Sequence, residues 1–142
     1  MSWPGRKLLV NFVTSTDPRA REVMRSRSEE QGFQPPTDIY QTADAIVVRV
    51  EIAGMSAEEI SLSLDENSGR LTISGHREDP AGDEARRYVN VEIDCGDFMR
   101  AVQLPRPVDA EGSQAHYDRG FLVVRLPLRP EGRSQARSVP IG

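Results

Sequence analysis

Cysteine is nearly absent from this 142-residue chain, with Cys95 standing alone. A single thiol closes no internal disulfide and builds no cysteine-based zinc cage. Histidine is also scarce. His76 and His116 lie far apart, with no second ligand at metal spacing, and read as surface or edge residues. Cys95 has no histidine nearby and falls in a turn, which argues against a nucleophile. Hydrophobic residues reach 37 %, below the roughly 45–50 % of ordinary globular domains, so part of the chain is not packed core. No apolar run approaches the ~18 residues that a membrane span needs. Near the start, Lys7 is followed by only Leu8, Leu9 and Val10, too little for a signal-peptide core. The expected location is cytoplasmic, with no membrane contact. A net charge of −4, from 18 basic and 22 acidic residues, is too balanced for a nucleic-acid partner. There is no glycine-rich phosphate loop. Asp65-x-Asn67-x-Gly69 opens like a calcium loop but has no glutamate at the twelfth position, so it reads as a hairpin turn. The pair Glu58-Glu59 is explained by a helix start. No metal, cofactor or catalytic residue is expected, and an enzyme reading has nothing to stand on.

What the chain does have is a series of short alternating runs. Gln114 to Asp118 alternates, Arg119-Gly120 reverses the chain, and Phe121 to Leu126 returns as a β-rich strand closed by Pro127. Such a hairpin needs further strands against it. Asp38–Thr42 and Ala45–Ile52 supply two, the second placing Val48, Val50 and Ile52 opposite Arg49 and Glu51. Ser56-Ala57-Glu58-Glu59 has the form of a capping box and predicts a single helical turn. Ile60, Leu62 and Leu64 then alternate with Ser61, Ser63 and Asp65, and Arg70 to Gly75 completes another hairpin. The charged stretch from His76 to Arg87 leaves the sheet, with a strand expected over Tyr88–Ile93 at its far end. Phe98–Leu104 is a further strand, stopped by Pro105 and Pro107. About seven strands at short intervals with almost no helix predict an all-β sandwich.

The two ends differ in character. Residues 1–34 form an arm with an apolar patch of Trp3, Leu8, Leu9, Phe12 and Val13, and Asp17-Pro18 is suited to start a short helix. The arm reads either as a disordered tail or as a segment that orders only against partners. Pro35-Pro36 marks the boundary of a domain spanning 35–128. Residues 129–142 form a polar extension ending in Val139-Pro140-Ile141. Pro140 keeps this backbone extended, so Val139 and Ile141 point to the same side.

These residues resemble the small heat-shock proteins with an α-crystallin domain. Five stretches carry the likeness. Pro36-Thr37-Asp38-Ile39-Tyr40-Gln41-Thr42 resembles the domain entry, and Val50-Glu51-Ile52-Ala53-Gly54-Met55 through Ile60 resembles the strand, turn and short helical link. Phe98-Met99-Arg100-Ala101-Val102-Gln103-Leu104-Pro105 is similar to the Phe-x-Arg-x-x-x-Leu-Pro strand. Ala115-His116-Tyr117-Asp118-Arg119-Gly120-Phe121-Leu122 is similar to the Ala-x-x-x-Asn-Gly-Val-Leu signature. Val139-Pro140-Ile141 is similar to the terminal Ile/Val-x-Ile motif. Two positions differ, both at the turn: Arg119 replaces asparagine and Phe121 replaces valine.

The resemblance implies an immunoglobulin-like sandwich, ATP-independent holdase activity toward non-native client proteins, and homodimers gathered into larger homo-oligomers. It implies that the excursion from His76 to Ile93 carries a strand exchanged between two subunits, with Arg87, Tyr88, Val89 and Val91 as interface candidates. An arginine at the place of Arg100 sits near that interface, and an ion pair across it is expected. Val139 and Ile141 are expected to dock on a neighbouring subunit between Ile60–Leu64 and the hairpin, with Ile60, Leu62, Leu64, Leu122 and Val124 as walls. The other reading makes those five plain core. Burying the two tail side chains yields about 1.5–3 kcal/mol each, whereas association costs at least ~4 kcal/mol. One tail binds weakly, and many tails on one assembly bind firmly yet exchangeably. Assembly exchange is expected to uncover Trp3, Leu8, Leu9, Phe12 and Val13 for clients. The competing reading is a monomeric β-sandwich adaptor with one folded partner.

Overall fold

The computed structural model describes residues 32–130, together with the backbone of Arg6 and Lys7. The apolar arm residues, the Asp17-Pro18 helix start and the Val139-Pro140-Ile141 tail lie outside the described residues. Among those described, eight strands form two antiparallel sheets: β1 Arg6–Lys7, β2 Thr37–Gln41, β3 Ala45–Glu51, β4 Ile60–Asp65, β5 Arg70–Arg77, β6 Gly96–Gln103, β7 Gln114–Asp118 and β8 Phe121–Pro127. The larger sheet has the order β1-β7-β8-β3-β2 and the smaller β4-β5-β6. The chain is an all-β, immunoglobulin-like sandwich.

Alternation places the core. Ile46, Val48 and Val50 on β3, Leu122, Val124 and Leu126 on β8, and Ala115 on β7 face Leu62 and Leu64 on β4, Leu71 and Ile73 on β5, and Phe98 and Val102 on β6. Register is set by pairs such as Val48↔Val124, Leu62↔Ile73 and Ile73↔Arg100. A one-residue slip would turn each of these sets to solvent.

The turns follow local chemistry. Asp65 Oδ1 accepts from the backbone N–H of Asn67 (3.0 Å) and of Ser68 (3.3 Å), and the β4–β5 hairpin closes there. Arg119 and Gly120 both take positive φ, 51° and 84°, the twist that a two-residue hairpin requires. Arg119 therefore occupies a left-handed position that asparagine fills at less cost.

One sequence expectation is met in a tighter form and two are corrected. The helical turn is a three-residue 3-10 turn, Ala57–Glu59, in which Ser56 does not cap the backbone. Its Oγ donates instead to Glu59 Oε1 at 2.7 Å, because the chain re-enters an extended strand at Ile60. The strand over Tyr88–Ile93 is not formed: the chain there has no ladder partner among the described residues, and an extended segment is not a stable strand alone. His116 is buried rather than at the surface, at 8 % exposure.

Candidate functional site: sheet edges and the loop from β5 to β6

The open edges of the sandwich are unequal. Beside β6, the backbone of Phe33 forms a parallel bridge to Phe98. Its N–H donates to Asp97 O (3.1 Å), its O accepts from Met99 N–H (3.3 Å), and its ring lies 5.5 Å from that of Phe98. The β7 edge carries β1. The outer edges of β2 and β4 carry no strand among the described residues. β2 also exposes Ile39 and Tyr40.

Residues 78–95 leave the sandwich between β5 and β6. The Arg86 guanidinium ties the first half of this loop together. Its Nη2 meets Asp79 Oδ2 at 2.6 Å, its Nε donates to Tyr88 Oη at 2.8 Å, and its Nη1 donates to Gly82 O (2.9 Å) and Glu84 O (3.0 Å). Tyr88 Oη donates to Asp79 Oδ2 at 3.3 Å. The Ala81 backbone N–H holds the Asp79 carboxyl below its usual range, against some desolvation, with further help from Arg86 and Tyr88. Hydrogen bonding to Tyr88 raises the Arg86 pKa.

Arg77 secures the far end. Its Nε donates to Asp94 O at 2.9 Å, its Nη2 reaches the same oxygen, and its Nη1 donates to Ala53 O at 3.2 Å. The same guanidinium lies 4.7 Å from the centre of the Phe33 ring. Between the turn tied by Arg86 and the Asp94 carbonyl held by Arg77, Val89, Val91 and Ile93 are 99 %, 64 % and 78 % exposed. They alternate with Asn90 and Glu92, whose side chains bond each other at 2.6 Å. This segment is apolar at every second residue, bends at Val89 and Ile93, and is bare.

The predicted interface residues are thus partly brought together. Arg87, Tyr88, Val89 and Val91 share the loop and are exposed. Arg100 lies apart on β6, between Phe98 and Val102, and its Nη1 donates to Gln34 Oε1 at 3.3 Å. Its described partner is an amide of the same chain rather than a carboxylate.

For the five candidate groove walls the sequence left open a reading as plain core. Ile60, Leu62, Leu64, Leu122 and Val124 have 0–7 % exposure and belong to the core. The two sheets close on these side chains.

Arg77, Asp79 and Arg86 were missed by sequence reasoning. Both arginines precede the apolar alternating run in the sequence, and no periodicity marks their partners. A hollow of about 360 Å³ on the outer face of the larger sheet is lined by Tyr40, Arg49, His116, Asp118, Arg119, Phe121 and Val123. Among the described residues no group of three or more His, Cys, Asp or Glu is placed to hold a metal. No helix among them is long and apolar enough to cross a membrane.

Comparison with known proteins agrees with this architecture. The profile of the Hsp20/alpha crystallin family matches residues 38–142. Spore protein SP21 of Stigmatella aurantiaca is 30 % identical over 106 residues, covering 75 % of this chain and 62 % of that protein. The chain therefore spans less than two thirds of that relative's length. The crystal structure of hspA from Xanthomonas axonopodis superposes with a TM-score of 0.62 at 31 % identity, over 69 % of this chain and 96 % of the other. A small heat-shock protein from Xylella fastidiosa, described as having a distinct high order structure, gives a TM-score of 0.62 at 25 % identity, over 78 % and 98 %. With this sandwich and these matches, the chain belongs to the Hsp20/alpha crystallin family.

Proposed function

We propose that this chain is an ATP-independent holdase, built as a homodimer and gathered into larger homo-oligomers. The single observation that carries the reading is the bare apolar run Val89, Val91 and Ile93 on an otherwise well-packed sandwich. In the dimer, residues 88–93 of one subunit pair with the free edge of β2 in a second copy. The open backbone of Thr37–Gln41 supplies donors and acceptors, and Ile39 and Tyr40 supply apolar surface. Full burial is worth about 1.5–3 kcal/mol for each of the six valine and isoleucine side chains of two copies. That total, ~9–18 kcal/mol, is comparable to or above the ~4–15 kcal/mol cost of association, so a dimer is energetically accessible.

Dimers assemble further when Val139 and Ile141 dock beside the hairpin of β7 and β8. Because the five candidate wall residues are core, docking is to the open backbone edge of β4, with Pro140 facing away because it has no N–H to offer. Clients are covered by the arm patch of Trp3, Leu8, Leu9, Phe12 and Val13, which matches the apolar surface that unfolding proteins expose. The family membership and the high order structure described for the Xylella fastidiosa relative support this reading.

The test is light scattering of a heated enzyme with and without the full chain, in the absence of nucleotide, beside sizing of the chain alone. Suppressed aggregation and a mass many times that of one chain are expected. A single-chain mass with no suppression at any ratio would overturn the proposal and favour a monomeric adaptor.

A further inference from the structure

We infer that Arg86 and Arg77 are positioning residues that pre-set the exchange strand before a second copy arrives. The inference rests on the proposed exchange of residues 88–93 and goes on to say what controls it. Ordering a free loop against a partner costs backbone and side-chain entropy for every residue fixed. In this chain the fixing is done internally. The Nε, Nη1 and Nη2 nitrogens of Arg86 bond Tyr88, Gly82, Glu84 and Asp79, all within the loop. Asp79 is in turn fixed by the backbone N–H of Ala81 at 2.9 Å. The turn 79–88 is thereby closed into a knot that ends where the bare run begins. At the other end Arg77 binds Asp94 O and reaches across to Ala53 O on the sandwich. Five residues, 89–93, are left between two anchored points. Their alternating side chains stay exposed instead of collapsing onto their own domain.

Neither guanidinium needs to touch the partner. Each shortens the search for the paired conformation, so the effect belongs to the rate of association rather than to the lifetime of the dimer. The planar fork matters as much as the charge, since an ammonium's donors all leave one nitrogen and cannot span the four acceptors set around three guanidinium nitrogens.

The experiment compares the full-length chain with Arg86→Ala, Arg86→Lys, Tyr88→Phe and Val89→Asp, every chain also carrying Val139→Ala and Ile141→Ala so that assembly stops at the dimer. Dimer Kd comes from concentration-dependent sizing. The dissociation rate comes from mixing isotopically heavy and light chains and following mixed dimers by native mass spectrometry. Arg86→Ala is expected to raise Kd about tenfold, the scale of ordering one further residue, with dissociation rate and thermal midpoint unchanged. Arg86→Lys should behave like Arg86→Ala, and Tyr88→Phe should shift Kd in the same direction by less. Val89→Asp should raise Kd through faster dissociation. An unchanged Kd in Arg86→Ala would overturn the inference alone, as would a dissociation rate that rises in step with Kd. A parent chain, with the two tail substitutions alone, that stays monomeric, indistinguishable from Val89→Asp, would overturn the exchange reading and the inference with it.

Discussion

Arg119 shows how one position can retain a fold while holding it at a cost. Its φ of 51° is left-handed, a region where a side chain with a Cβ loses about 1–2 kcal/mol. Its contact with Asp118, at 3.8 Å and with the arginine side chain 91 % exposed, returns little in water. Asparagine is among the side chains most tolerant of this conformation. Arg119→Asn is expected to stabilise the chain by about 0.5–1 kcal/mol, which raises the thermal midpoint by a few degrees. Calorimetry on the two chains checks this, and an equal or lower midpoint would show that the turn carries no strain. Gly75 is the opposite case. A Cβ there would lie 2.5 Å from Glu59 O and 2.6 Å from the Phe98 ring, so the close approach of β5 and β6 requires glycine.

At the scale of elements, the β2–β3 turn joins local bonding to the sheet. The Thr42 hydroxyl donates to Asp44 Oδ1 at 3.0 Å, and Arg125 on β8 donates to the same oxygen at 2.8 Å. Thr42 first, and Arg125 next, hold the Asp44 carboxyl below its ordinary 3.8. A depressed folded pKa gives stability that is fully present above the unfolded value and is lost as pH falls through the folded one. Asp44→Asn is therefore expected to be less stable than the parent at neutral pH, with the gap narrowing below about pH 3.8. Urea midpoints at neutral and acid pH measure it, and a gap that stays constant with pH would refute the assignment. The elements also show how far periodicity reaches. The alternation of Ile60, Leu62 and Leu64 identifies one face of β4 but does not reveal that a second sheet covers it. Val89, Val91 and Ile93 alternate in the same way, and the same pattern there is left bare. Periodicity reports which side chains share a face, and burial depends on what lies opposite.

At the scale of the whole molecule, the sandwich is the fixed body, and its open edges are where the proposed function brings copies together. Val139→Ala combined with Ile141→Ala is expected to reduce the assembly to dimers while leaving the thermal midpoint unchanged, because the tail is proposed to act between subunits. Light scattering and calorimetry check the two halves of that statement, and an undiminished assembly would remove the tail from the architecture. The hairpins, the all-β class and the family signature were legible in the residues, because short-range alternation and turn chemistry act between neighbours in the chain. The Arg86 knot, the Phe33 clip on β6 and the burial of the five assigned wall residues were not. The clip and the buried walls arise from groups that meet only after the chain has folded back on itself, whereas the knot joins near neighbours through exposed polar bonds that leave no period to read. Composition and pattern alone specified two β-rich layers and an excursion between them. Three-dimensional packing decided which apolar faces were covered and which were left bare, since covering a face takes a surface from elsewhere in space.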